Sequence, residues 1–178
     1  MKYSNGIRTR KSKAEFIAEM NQRIAIRKTI MDFVENVYFP MMATKFDGKV
    51  YNKRFINALN EEAKKVHEFM YVKNGYSYDE IEIQCRLERY NYNDYESILL
   101  KCKTNAEGRI DYDATINDEY CKAWIKSFKE YIDEYQKSID NYDEYLKVFV
   151  KLDNVLREYN NLPYSFRGNL DTGWMKIY

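Results

Sequence analysis

Twelve positions between Cys121 and Tyr159 step along the chain by three and four, and eleven of them are apolar or aromatic. Cys121, Trp124, Phe128, Tyr131 and Tyr135 come first; Ser138 is the exception; Tyr142, Tyr145, Phe149, Leu152, Leu156 and Tyr159 complete the series. That spacing draws a stripe along a helix, and kept up for so long it is a heptad seam. It predicts one long helix over about 116–160, with Thr115 or Asn117 as its cap. Ile125, Ile132, Ile139 and Leu146 form a second row beside the seam. A stripe that wide touches more than one neighbour, which argues against a simple two-stranded coiled coil, although a homodimer through the long helix stays open as an alternative.

A straight helix of that length would span ~68 Å, against a radius of gyration of ~16 Å for a compact chain of this size. Either the molecule is elongated or the helix breaks. The polar stretch Asp140–Glu144 is where a break would fall, with Asp140 as a cap for a new helix. The seam keeps its phase through that stretch, which favours a continuous or kinked helix. The expectation that follows is that the aromatic ridge is buried scaffolding and that recognition falls to loops, tips and ends.

The strand signal lies in the middle of the chain. In 80–90, Ile81, Ile83, Cys85 and Leu87 alternate with Glu80, Glu82, Gln84, Arg86 and Glu88; in 95–103, Ile98, Leu100 and Cys102 alternate with Ser97, Leu99, Lys101 and Lys103. Folding the segment about Asn91–Asp94 sets Tyr90 against Tyr95 and Ile83 against Cys102. The apolar residues then share one face, while Glu82 meets Lys103 and Gln84 meets Lys101 on the other. A lone hairpin is not stable, so its apolar face needs helices to cover it. Arg109–Tyr112 is a candidate third strand.

Two helices precede the hairpin. Ser12 and Glu15 form a capping box, followed by an apolar stripe through Ile17, Met20, Ile24, Met31, Val34 and Tyr38 that Pro40 should end. Asp47-Gly48 marks a turn, and Asn52 suits a cap for a second helix over 53–72. The helical period through Met70 favours that reading over a rival one, in which Phe69–Lys73 is a strand turning at Asn74-Gly75. After Leu162-Pro163 comes an irregular tail carrying Phe166, Trp174 and Tyr178. The fold class is therefore α+β and mainly helical. A flexible basic arm over 1–12 precedes a single globular domain over 13–178.

Charge is uneven although the net formal charge is only +1. Lys2, Arg8, Arg10, Lys11 and Lys13 stand in the first thirteen residues with no acid among them. Such an arm suits phosphate contacts or a solubilising end. The three cysteines lack any CxxC spacing, which fits reduced thiols in a cytoplasmic protein. Neither a signal peptide nor a membrane span is visible.

Nothing in the chain spells a reaction. His67, the single histidine, has no orienting partner or nucleophile in sequence, as a catalytic base needs. Asp79, Glu80, Glu82 and Glu88 suggest Mg²⁺-holding carboxylates, but a strand nuclease wants a lysine two residues after its glutamate, and Glu82 and Gln84 occupy those places. Glycine-rich phosphate loops, nucleophile elbows and Cys/His metal spacings are missing from the sequence. No catalytic residue, metal site or cofactor is expected, and the chain reads as a non-enzyme.

The candidate partner-binding residues are Tyr90, Tyr92 and Tyr95 at the hairpin tip, with Met41 and Met42 after the first helix as an adaptable patch. The leading expectation is a protein that binds a protein or ribonucleoprotein partner. Its small size and a bias toward residues with AT-rich codons suggest a phage or mobile-element product. An anti-CRISPR-type inhibitor of a host nuclease or CRISPR effector would fit. The alternative is nucleic-acid binding through Arg8, Arg10, Lys11 and Lys13 with the tip tyrosines stacking on bases. A metal-dependent nuclease is a second alternative.

Overall fold

The computed structural model describes residues 2–4, 7–44, 53–76, 80–87, 95–107, 109, 111–116 and 118–169. The chain groups into two compact units, one of 14–139 and one of 1–13 with 140–178. The sequence places its one boundary near residue 12; the contacts place a second at 139/140.

In the larger unit, helix α1 (Lys13–Phe33) runs directly into a π-helical turn (Val34–Tyr38) and then α2 (Phe39–Thr44). Pro40 therefore does not end the helix, contrary to expectation. The wider turn supplies the reason. The Phe39 N–H bonds to the Val34 carbonyl five residues back, so the ladder has already shifted where proline, which has no N–H to give, follows. Phe39 keeps helical angles (φ −62°, ψ −47°) directly before the proline, a conformation that the ring disfavours. The shift turns Tyr38, Met41 and Met42 into the core.

Helix α3 (Lys53–Val66) stops sooner than the period suggests, and Met70–Asn74 forms strand β3. The rival strand reading is the correct one. Met70 and Val72 are buried with strand alternation, and Asn60 settles the other edge. Its side-chain amide donates to the Val72 carbonyl (2.7 Å) and accepts from the Val72 N–H (2.6 Å). One asparagine thus satisfies and blunts the open edge of β3.

Strands β3, β4 (Glu80–Arg86) and β5 (Tyr95–Lys101) make an antiparallel sheet in the order β3-β4-β5. The third strand comes from before the hairpin; on its other side Tyr112 opens helix α4 (Tyr112–Ile116). Ile83 pairs with Ile98 and Glu80 with Lys101, a register four residues away from the expected one. Because four is even, every side chain keeps its face, and Ile81, Ile83, Cys85, Leu87, Ile98, Leu100 and Cys102 are all buried together. The charge pairs do change. Glu82 meets Lys73 of β3 (2.9 Å), Glu80 meets Lys101 (3.4 Å), and Lys103 meets Asp118 (2.9 Å). The shift also sets Glu96 opposite Cys85, on the inner face, where Arg23 and Arg27 of α1 reach its carboxylate.

The α1, π-turn, α2 and α3 segments cover that inner face. Ile30, Phe33, Val34, Tyr38, Phe55 and Leu59 are wholly buried there, each worth ~1.5–3 kcal/mol of transfer free energy. Helix α5 (Glu119–Asp140) adds Cys121 and Phe128 to the core. In the smaller unit, β1 (Lys2–Ser4) and β2 (Ile7–Thr9) pair antiparallel within the segment expected as an arm. Helix α6 (Tyr142–Asn161) and the short α7 (Tyr164–Arg167) complete it.

The predicted long helix is thus two helices. Asn141 leaves the helical region (φ −106°, ψ 16°), and the ladder restarts from its carbonyl, which accepts from the Tyr145 N–H (2.9 Å). The preference for continuity fails at the polar stretch that marked the weak point. Asp and Asn side chains compete with helical backbone bonding, and that local cost outweighs a seam that merely stays in phase.

Candidate interaction surface

Two faces of the molecule carry the side chains from which a site could be built: the outer face of the sheet and the exposed side of α6. The outer sheet face is the better connected. Tyr71 donates its hydroxyl proton to the Gln84 side-chain oxygen, the Gln84 amide donates to Glu82, and the Lys73 ammonium closes the row on Glu82 at 2.9 Å. Bonding to Glu82 pushes the Lys73 pKa up. Arg86 lies over the Tyr71 ring (5.6 Å) and Lys101 over Tyr120 (4.6 Å).

Glu80, Glu82 and Gln84 are buried although they stand on the face opposite the apolar one. Their neighbours on both flanking strands close over the central strand, so a carboxylate there must be paired or pay its desolvation cost. Both glutamates are paired. Among the described residues, no three His, Cys, Asp or Glu side chains converge on a point where a metal ion would sit, and Glu82 is committed to Lys73 and Gln84. Lys73 and Lys101 of this face are each paired with a glutamate of β4.

The other residues singled out from sequence are scattered. Tyr95 is exposed at the end of β5; Tyr90 and Tyr92 lie outside the described residues. Met41 and Met42 are buried in the main core and form no surface patch, because the π-turn rotates α2 inward. Of the basic arm, Arg10 is exposed, Lys11 and Lys13 follow β2, and the Arg8 side chain lies outside the described ones. Lys13 is engaged within its own unit, 2.6 Å from Asp143 and over the Tyr142 ring at 5.6 Å. His67 accepts the Phe69 N–H at Nδ1 (3.1 Å), a turn-closing role. Cys85, Cys102 and Cys121 are free and buried. Tyr38 and Cys102 share a hydrogen bond of 3.0 Å, and burial pushes the Tyr38 and Cys121 pKa values up, away from ionisation.

The ridge divides at Asn141. In α5, Cys121 and Phe128 are in the core, and Trp124 and Ile125 pack against it. Arg27, 5% exposed, lies over the Phe128, Tyr131 and Tyr135 rings at 5.7, 5.0 and 4.7 Å while its Nη2 pairs with Glu96 at 2.6 Å. In α6 no residue is buried. Tyr145, Val148, Phe149, Leu152 and Val155 each keep half or more of their surface open, and Leu162 and Phe166 beyond the helix are exposed as well. The expectation that the whole ridge is scaffolding is overturned for its second half. Sequence periodicity marked this helix as apolar; the exposure of these side chains among the described residues marks it as a surface.

No protein-family model matches the chain, and neither a curated protein nor a solved structure matches it.

Proposed function

We propose that this is a non-enzymatic interaction protein that engages another polypeptide through the apolar face of α6. One observation carries the reading: a twenty-residue helix whose side chains include a contiguous row of open Tyr, Val, Phe and Leu and no buried residue at all. Folding gains nothing from leaving such a row in water, whereas contiguous exposed apolar patches mark binding surfaces. A helix presenting residues at i, i+3, i+4 and i+7 is the usual shape for docking on a groove or on another helix.

Leu152→Glu places a charge in the centre of that row at a half-exposed position. Affinity capture with the wild-type protein and with this variant tests the reading. Proteins held by the wild type should be lost by Leu152→Glu at unchanged far-UV circular dichroism; an identical set retained by both would overturn it. Codon bias and small size extend the proposal to a phage or mobile-element product acting on a host protein such as a nuclease or CRISPR effector. That extension draws on composition alone.

A further inference from the structure

We infer that the open face of α6 pairs antiparallel with the same face of a second copy of this chain. The inference rests on the reading of α6 as a docking face and names what docks there. Tyr145, Val148, Leu152, Val155, Tyr159 and Leu162 follow one another at spacings of three and four, the seam of a helix pair. This is not the row that periodicity favours from sequence, which runs through Phe149 and Leu156. It is rotated toward Val148 and Val155, the most open apolar side chains of the helix.

The flanks of the seam choose the orientation. Immediately before alternate seam positions (Tyr145, Leu152 and Tyr159) stand Glu144, Lys151 and Glu158, seven residues apart; on the opposite flank stand Phe149 and Leu156. A parallel pair sets each charged flank against the partner's apolar flank, which strands charge on apolar surface. An antiparallel pair sets charge beside charge and apolar beside apolar.

Full overlap of the seam then fixes the register. Tyr145 lies opposite Leu162, Val148 opposite Tyr159, and Leu152 opposite Val155 of the second copy, each pair occurring twice. In that register Lys151 stands within about 3 Å along the axis of Glu158 of the second copy, and Phe149 falls beside Leu156. The ion pairs already formed fit this assignment. Lys147 is held by Glu144 (2.6 Å) and Arg157 by Asp153 (2.9 Å) within the helix. Lys151 and Glu158 have no such pair among the described residues. The seam is about 26 Å long, which places the interface at the small end of specific contacts and its Kd in the micromolar range.

Sedimentation equilibrium on the full chain from about 1 to 300 µM, bracketing that range, tests the inference. Wild type should pass from monomer to dimer, and Leu152→Glu should stay monomeric with unchanged circular dichroism. Lys151→Glu should weaken the dimer about tenfold, as the loss of two symmetric charge pairs and the gain of repulsion require. The exchanged pair Lys151→Glu with Glu158→Lys should restore the wild-type value within about threefold. A wild type that stays monomeric, or an exchanged pair that fails to restore, overturns the inference.

Thiol labelling of Val148→Cys in dilute monomer separates this failure from failure of the reading beneath it. Fast labelling in a protein that never dimerises would leave the docking face standing and remove the second copy as its occupant. Slow labelling in the monomer would show the face covered by its own chain, and both would fall. Fast labelling that slows as the protein is concentrated supports both.

Discussion

Helices α5 and α6 descend from one apolar rhythm in the sequence and end in opposite environments. Both carry an aromatic or aliphatic residue at nearly every turn of the seam. Phe128 of α5 is 3% exposed, and Phe149 of α6, at the matching position three heptads on, is 50% exposed. What separates them is what lies alongside. Helix α5 is joined to the sheet at its start by Lys103–Asp118 (2.9 Å) and by the Cys121 thiol, which donates to the Lys101 carbonyl (3.3 Å), and it is held along its length by Arg27. Helix α6 has no buried residue. A helical period therefore specifies that a face is apolar; charged and polar side chains elsewhere in the chain specify whether the fold uses it.

Removing the two phenylalanines measures the contrast at its largest. Phe128→Ala should cost about 3–5 kcal/mol of stability, since it empties a core site. Phe149→Ala should stay within about 0.5 kcal/mol in dilute protein. Urea unfolding of both variants decides it, and equal losses would break the comparison.

The next effect concerns what fastens α5. Arg27→Ala removes the guanidinium over three rings and half of the double claim on Glu96, which Arg23 also contacts at 3.2 Å. Breaking a buried pair while one partner stays costs about 3 kcal/mol at the low end, and the residual Arg23 contact argues for that end. Thermal unfolding should show the loss. Selectively increased protease sensitivity in 128–139 would sharpen the claim that Arg27 is the fastening.

The smallest effect is electrostatic and depends on pH. Hydrogen bonding to Lys103 holds the Asp118 carboxyl below its ordinary pKa of 3.8, with the Cys121 and Tyr120 N–H groups assisting. The folded carboxyl thus binds its proton less tightly than the unfolded one. Its contribution is present above that ordinary value and drains away as pH falls through the lower, folded value. Asp118→Asn should lose under about 1 kcal/mol at neutral pH. It should also show a shallower decline in stability below pH 3.8 than wild type, read by unfolding at a series of pH values.

Local rules carried most of the fold. Alternation in 80–103 gave the right face for Ile81, Ile83, Cys85, Ile98 and Leu100, because side-chain direction in a strand depends on parity alone. Register was not legible in the same way. It was set by β3, whose Lys73 and Tyr71 draw in Glu82 and Gln84, and by Arg23 and Arg27, which place Glu96; the nearest of these partners is 9 residues away in sequence and the farthest 73. Strand β3 itself was hidden because Met70 fits both a period of 3.6 and a period of 2, and Asn60 decides between them from the preceding helix. Pro40 misled for a similar reason: a proline rule assumes an α-ladder, and a π-turn had already displaced it. The candidate surface was legible as an apolar row and not as a surface, since exposure is a property of what the rest of the chain leaves uncovered.

Hydrogen exchange on dilute monomer tests the contrast most directly. Amides of 121–132 should exchange only through near-global unfolding, and those of 145–159 through local opening several kcal/mol less costly, on the order of a hundredfold or more faster. Equal protection of the two helices, at concentrations where sedimentation shows a monomer, would contradict the account.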